Sequence, residues 1–136
     1  MGYHFLQDTS NGYSQILEFI ESKFEQCFND KCYIKEKTVK ITSQIDSSVT
    51  FIGASISPLK KYVISNTIGN KGRFILQNSI RTRGLKKLQT SDYSIFGSYF
   101  ICLGALVEYN KLEKLVLDIF DYLIKYLNIP FKDIVI

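Results

Sequence analysis

Two arginines in Ser79-Ile80-Arg81-Thr82-Arg83-Gly84 stand where an alternating apolar run ends, the place for a phosphate-facing loop. They lie inside a stretch, Ser47 to Ser91, with no Asp or Glu over 45 residues. That stretch carries eight cations: Lys60, Lys61, Lys71, Arg73, Arg81, Arg83, Lys86 and Lys87. The formal charge of the chain is +4, from 17 Lys and Arg against 13 Asp and Glu, so the residues outside the stretch sum to −4. Positive potential gathered in one segment favours an anionic ligand such as phosphate, a nucleotide or RNA. The plainer alternative is a solvated basic face that serves solubility.

Other chemistry-bearing sets are thinner. Cys27 and Cys32 have four residues between them, a spacing that a metal site uses, but no second Cys or His pair accompanies them. The one histidine, His4, is remote in sequence. Two candidate ligands do not make a zinc site, so no metal is expected and the thiols read as reduced and partly buried. An odd count of three cysteines without a secretory signal also argues against a disulfide framework.

Positioning these residues requires a fold, and 136 residues suit a single domain, 1–136, with one core. A hydrophobic content of 46% excludes disorder, because enough apolar surface is present to offset chain entropy. Apolar runs fall short of the roughly 20 residues that span a bilayer. The start, Met1-Gly2-Tyr3-His4-Phe5-Leu6, lacks the basic and long apolar regions of a signal peptide and has Leu6 where myristoylation wants Ser or Thr. The expectation is a soluble cytoplasmic protein with no membrane partner.

Ile16, Leu17, Ile20, Phe24 and Phe28 recur at three- and four-residue steps and predict an amphipathic helix over Tyr13 to Phe28, ended by Asn29-Asp30. The middle of the chain reads as strands: Val39 and Ile41 alternating with polar neighbours, Val49 to Ile52, Phe74 to Ile80, and Ile95 to Val107. The last two form a long hairpin with a polar, basic tip. A second helix is predicted from Leu112 to Leu127, capped by Asn110 with Glu113 three residues on. Leu112, Leu115, Val116, Ile119, Leu123 and Leu127 would line its buried face, and Asn128 would close it before Pro130. Ile134-Val135-Ile136 reads as a terminal strand. The order predicts an α+β fold, an antiparallel sheet backed by helices.

This order, with several short strings, resembles the amino-terminal part of the catalytic domain of the alanyl-tRNA synthetase family, class II aminoacyl-tRNA synthetases. The family's L-F-T-N-A-G-M-N-Q-F-K-x-Y is similar to the run from Thr50 to Tyr62, which includes Gly53-Ala54-Ser55-Ile56 and Lys60. Its motif 2 strand ending C-I/V-R-A-G-G resembles Ser79 to Gly84, and its T-F-F-E-M-L-G resembles Ser98-Tyr99-Phe100-Ile101-Cys102-Leu103-Gly104. Glu108-Tyr109-Asn110, the helix after it, Leu127-Asn128-Ile129-Pro130 and a strand at 133–136 follow the family's D-Y-F, helix, L-G-L-P and strand. The likeness covers roughly 12–136.

The resemblance implies a partial ATP or aminoacyl-adenylate site. Arg81 falls on the motif 2 arginine that contacts the α-phosphate of ATP and the amino-acid carboxylate, a role suited to a planar, permanently charged guanidinium. Phe100 falls on the aromatic packed against adenine, Cys102 where the backbone reads the adenine edge, and Ile56 on a residue lining the alanine side-chain pocket. Core packing is the alternative for Phe100 and Ile56, and a hairpin-tip surface charge for Arg81. Departures are also plain. The run Arg83-Gly84-Leu85-Lys86-Lys87-Leu88-Gln89 lacks the family's His and Asp, and Ile101 stands where the family has an acid. The residues given stop before the motif 3 arginine and the ammonium ligand, so ligation by this stretch alone is not expected. Two other functions fit the sequence. One is a non-catalytic interaction module whose sheet is completed by a second polypeptide or a homodimer. The other is a module binding tRNA or another RNA through the Lys60–Lys87 segment, with Tyr62, Phe74, Tyr93 and Phe96 as stacking candidates.

Overall fold

A computed structural model describes residues 9–82 and 99–135. The chain is α+β and divides into two compact units, one of Met1–Cys32 with Glu113–Ile136, the other of Tyr33–Leu112.

The first unit is helical. Helix α1 spans Thr9–Asp30, longer at both ends than the period alone predicts. It stops at the expected Asn29-Asp30 boundary, after which Cys32 takes the left-handed conformation (φ 63°) and its N–H reaches the Asn29 carbonyl at 2.9 Å. Helix α3 spans Leu112–Asp121 and continues into a π-helical turn, Tyr122–Tyr126. The wider turn is carried by the Leu127 N–H on the Tyr122 carbonyl (3.0 Å), and Asn128 (φ 55°) then closes the helix as expected. Asn110 does not cap α3: it lies inside a 3-10 turn, Tyr109–Lys111, which begins after the extended Glu108.

The core of this unit is aromatic. Phe24 lies 4.5 Å from Phe28 and meets Tyr122 edge-on at 5.3 Å between ring centroids. Phe28 and Cys27 are fully buried, and the Tyr122 hydroxyl donates to the Ile20 carbonyl at 3.1 Å. On α3 the buried residues are Leu115 and Asp118, followed by Tyr122 in the π turn. Of the expected stripe, Leu115 is buried and Leu123 and Leu127 are half-buried, whereas Leu112 (50%), Val116 (45%) and Ile119 (41%) are exposed. Asp118 is tolerated inside because Lys31 (3.0 Å) and Lys114 (2.6 Å) neutralise it.

The second unit holds the sheet. Strands β1 (Ile34–Lys35), β2 (Arg73–Ile80) and β3 (Tyr99–Leu106) lie in the order β1-β2-β3. The pair β2–β3 is antiparallel, as the hairpin predicted, with Ser79 opposite Phe100 and Gln77 opposite Cys102. Strand β1 runs parallel to β2, so the sheet is mixed rather than wholly antiparallel. Phe74, Ile75, Ile52 and Leu59 form its apolar core.

The runs at 39–41 and 49–52, expected as strands, follow the β2 edge without building a ladder. The amide of Gln77, fully buried, accepts the Val39 N–H (3.1 Å) and donates to the Val39 carbonyl (2.9 Å), so a side chain does the work of a strand neighbour. The Thr38 hydroxyl donates to the Leu76 carbonyl (2.7 Å), and the Ile80 N–H donates to the Ile52 carbonyl (2.9 Å). Helix α2, Ile56–Ile64, falls where the resemblance implied a strand and turn. Pro58 is compatible with it because a first-turn N–H has no helical partner to lose. A 3-10 turn, Phe131–Asp133, precedes an extended Ile134 where a terminal strand was expected, and Ile136 lies outside the described residues. Among the described residues, no helix is long and apolar enough to cross a membrane.

Candidate functional site

The hairpin register decides what β3 offers. The Phe74 carbonyl accepts from Glu36 and the Gly72 carbonyl from Ile34, so the even-numbered backbone groups of β2 face β1. The odd-numbered ones therefore face β3, and Gln77 and Cys102 form a hydrogen-bonded pair. The Cys102 amide and carbonyl are thereby spent in the ladder, with none left to read an adenine edge. Its thiol lies 3.4 Å from the Ser55 hydroxyl.

At the loop end of the hairpin, Arg81 follows β2 and Phe100 is the second residue of β3. The Arg81 guanidinium carbon stands 5.1 Å from the Phe100 ring centroid, within cation–π range. Arg81 also lines an open depression of about 490 Å³ with Val49, Thr50, Phe51, Ile80 and Thr82. Among the described residues, no acidic side chain lines it and no carboxylate pairs with Arg81. The far wall is held by main-chain bonds from Ile52 to Ile41 and from Ile80 to Ile52. Val49-Thr50-Phe51 thus belongs to the site, a role that its β-branched composition did not signal.

Ile56 lies on α2 and is 50% exposed, so core packing does not claim it. It lines a second depression, of about 340 Å³, which shares Val49 with the first. The floor of this depression is an anchored charge. Asp46 accepts from the Ser48 hydroxyl (2.6 Å), the Ser48 amide (3.1 Å) and the Lys60 ammonium (3.0 Å). Those hydrogen bonds, Ser48 first and then Lys60, hold its carboxyl well below the usual range. The Asp46-x-Ser48 bond is ordinary turn chemistry and was readable in sequence; its capture of Lys60 was not.

The basic segment is therefore partly neutralised by the fold. Lys60 is paired with Asp46, and Arg73 with Glu36. Arg73 also stacks on the Tyr62 ring at 3.7 Å, while the Tyr62 hydroxyl binds Glu36 at 2.9 Å. Tyr62 is thus occupied and Phe74 is fully buried, so neither serves as an exposed stacking platform for bases. Tyr93, Phe96, Arg83, Lys86 and Lys87 lie outside the described residues. Ile101 alternates to the opposite face of β3 from Phe100 and Cys102.

The structure thus brings Arg81 and Phe100 together and puts Ile56 in the neighbouring depression. Among the described residues, no group of three or more His, Cys, Asp or Glu is placed to hold a metal. Compared with known proteins, the chain matches no family model, no curated protein and no solved structure.

Proposed function

We propose that the loop end of the β2–β3 hairpin is a half-site for an adenine nucleotide or aminoacyl-adenylate, as the resemblance to the alanyl-tRNA synthetase family implies. The observation that carries this reading is Arg81: a guanidinium without a carboxylate partner among the described residues, set over an aromatic ring beside an open depression. Arg81 would hold the α-phosphate of ATP or of an adenylate through paired N–H donors. Phe100 would pack against the adenine, and Ile56 would bound the small aminoacyl side chain. Cys102 has no part in this reading beyond its place in the ladder.

The chemistry of this half-site is binding. One guanidinium stabilises charge on one phosphate. The described residues lining the two depressions offer one carboxylate, Asp46, and its Oδ1 already accepts from Ser48 and Lys60, so among them no carboxylate stands open for an amino acid's ammonium group. The reading is therefore of a synthetase-like binding protein and not of a ligase acting through these residues alone.

Calorimetric titration with a non-hydrolysable alanyl-adenylate analogue tests it. Arg81→Ala removes a charge-assisted bond worth about 1.5–3 kcal/mol, so affinity falls by roughly tenfold to a hundredfold. Phe100→Leu loses only the aromatic increment, about 0.5–1.5 kcal/mol. Equal affinity in wild type and Arg81→Ala would remove the proposal.

A further inference from the structure

The outer edge of β3 shows what a partner must look like. Because Phe100, Cys102, Gly104 and Leu106 turn their backbone groups to β2, those of Tyr99, Ile101, Leu103 and Ala105 point outward. Among the described residues, no strand pairs with that edge. The strand Tyr99–Leu106 contains no charge and no proline, two of the devices that stop an edge from pairing.

We infer that β3 pairs antiparallel with β3 of a second copy, about a two-fold axis at Cys102, joining two sheets into one of six strands. The register follows from the backbone. Outward groups must meet outward groups, so only certain registers are allowed, and the one centred on Cys102 uses all four outward residues. It sets Tyr99 against Ala105 of the second copy and Ile101 against its Leu103, each as a hydrogen-bonded pair. On the other face it sets Phe100 against Gly104 of the second copy and Cys102 against its own counterpart. Ile101 thus meets Leu103 and Tyr99 meets the small Ala105, cross-strand pairs that favour sheet pairing. A register centred one outward residue to either side leaves an outward group unpaired.

Electrostatics opposes the pairing and so supplies a signature. Tyr33–Leu112 carries twelve Lys and Arg against four Asp and Glu, so two such units repel one another. Added salt screens that repulsion and strengthens the dimer, the opposite of its effect on phosphate-driven binding.

The inference does not depend on the nucleotide reading. Its test uses the full chain carrying Cys32→Ser, which removes the exposed thiol and leaves the buried Cys27 and the half-buried Cys102. Directly opposed, non-hydrogen-bonded residues stand about 4.5 Å apart at Cα, within the range a disulfide spans. Diamide takes two electrons and two protons from a facing pair of Cys102 thiols and leaves one S–S bond between chains. Expected are a dimer by light scattering that strengthens with concentration and salt, and a covalent dimer after diamide that Cys102→Ser abolishes. Leu103→Pro deletes an outward N–H and gives a monomer with unchanged circular dichroism. Should that variant lose its fold, Ile101→Lys sets a cation on the edge and reads the same way. A monomer at every concentration, a dimer that diamide does not link through Cys102, or a dimer indifferent to the edge variants overturns the inference. Arg81→Ala leaves the dimer intact, so loss of nucleotide binding and loss of pairing are read separately.

Discussion

The helical unit and the sheet unit differ in how far they close their charges. In the helical unit the cations close on acids: Lys31 binds Asp121 at 2.7 Å and Asp118 at 3.0 Å, Lys114 binds Asp118, and Lys125 binds Asp121 at 2.8 Å. Tyr126 adds a hydrogen bond to Asp30 at 2.8 Å. In the sheet unit, Lys60 and Arg73 are closed in the same manner, and Arg81 is left at the mouth of a depression. Paired charge fixes geometry, whereas a charge presented beside an aromatic and an open volume recognises a ligand. On the proposed reading, ligand binding belongs to the sheet unit and the ionic network of the helical unit to stability.

The largest effect expected is on the helical core. Phe28→Ala empties a fully buried aromatic site and costs about 3–5 kcal/mol, seen as a lowered melting temperature. In the sheet unit, a Cβ at Gly104 would overlap the Ser55 Oγ and Cβ, so Gly104→Ala forces the 53–56 segment off β3. It costs about 1–3 kcal/mol by overpacking, and because that segment lines the depression that holds Ile56 it weakens adenylate binding as well. Phe28→Ala, by contrast, leaves the site residues in place, and affinity measured below its melting temperature is unchanged.

The two units part at the extremes of pH. Hydrogen bonds from Lys125 and then Lys31 lower Asp121 to about 2. A depressed carboxyl contributes stability above its ordinary pKa of 3.8 and loses it as pH falls toward 2. Asp46 of the sheet unit is depressed for its own reasons, so acid weakens both units. Alkali distinguishes them. Burial pushes the Tyr122 hydroxyl up to about 12 from 10.0, and its contribution, complete below pH 10, is lost as pH rises through that window. Burial alone would lower Lys31, but its bonds to Asp121 and Asp118 carry it above the ordinary lysine value, with the same direction of loss. Helical signal is therefore expected to fall above pH 10 before sheet contacts do, followed by circular dichroism and by residue-resolved hydrogen exchange. Loss of the sheet first would reverse the assignment. The smallest stability effect belongs to the residue of most functional interest: Arg81→Ala, at an exposed position, shifts stability by no more than about 0.5 kcal/mol.

What the sequence disclosed divides along the same line. Local periodicity and punctuation were legible: α1 from its three- and four-residue steps, the β2–β3 hairpin, and the helix stop at Asn128. Arg81 and Phe100 were legible because a hairpin carries the end of one strand to the start of the next. Pairings across distance were not. Asp118 lies off the apolar stripe read in sequence, yet it is buried with Lys31, 87 positions away, as its partner, while Val116 and Ile119 are exposed. Gln77 looked like a polar strand residue, and its amide replaces the ladder expected at Val39. Helix α2 was masked by Gly53 before it and Pro58 in its first turn, although Leu59, Tyr62 and Val63 recur at helical spacing. The reduction of the basic segment by Asp46 and Glu36 was equally invisible, since both acids fall outside it.

The most direct measurement is residue-resolved amide chemical-shift mapping of the full chain during titration with the alanyl-adenylate analogue. The account predicts saturable shifts at Val49–Phe51, Ile80–Thr82 and Phe100, with the amides of the Lys31–Asp118–Asp121 network unmoved. Shifts centred on that helical network, or none near Arg81 at the highest analogue concentration, would contradict it.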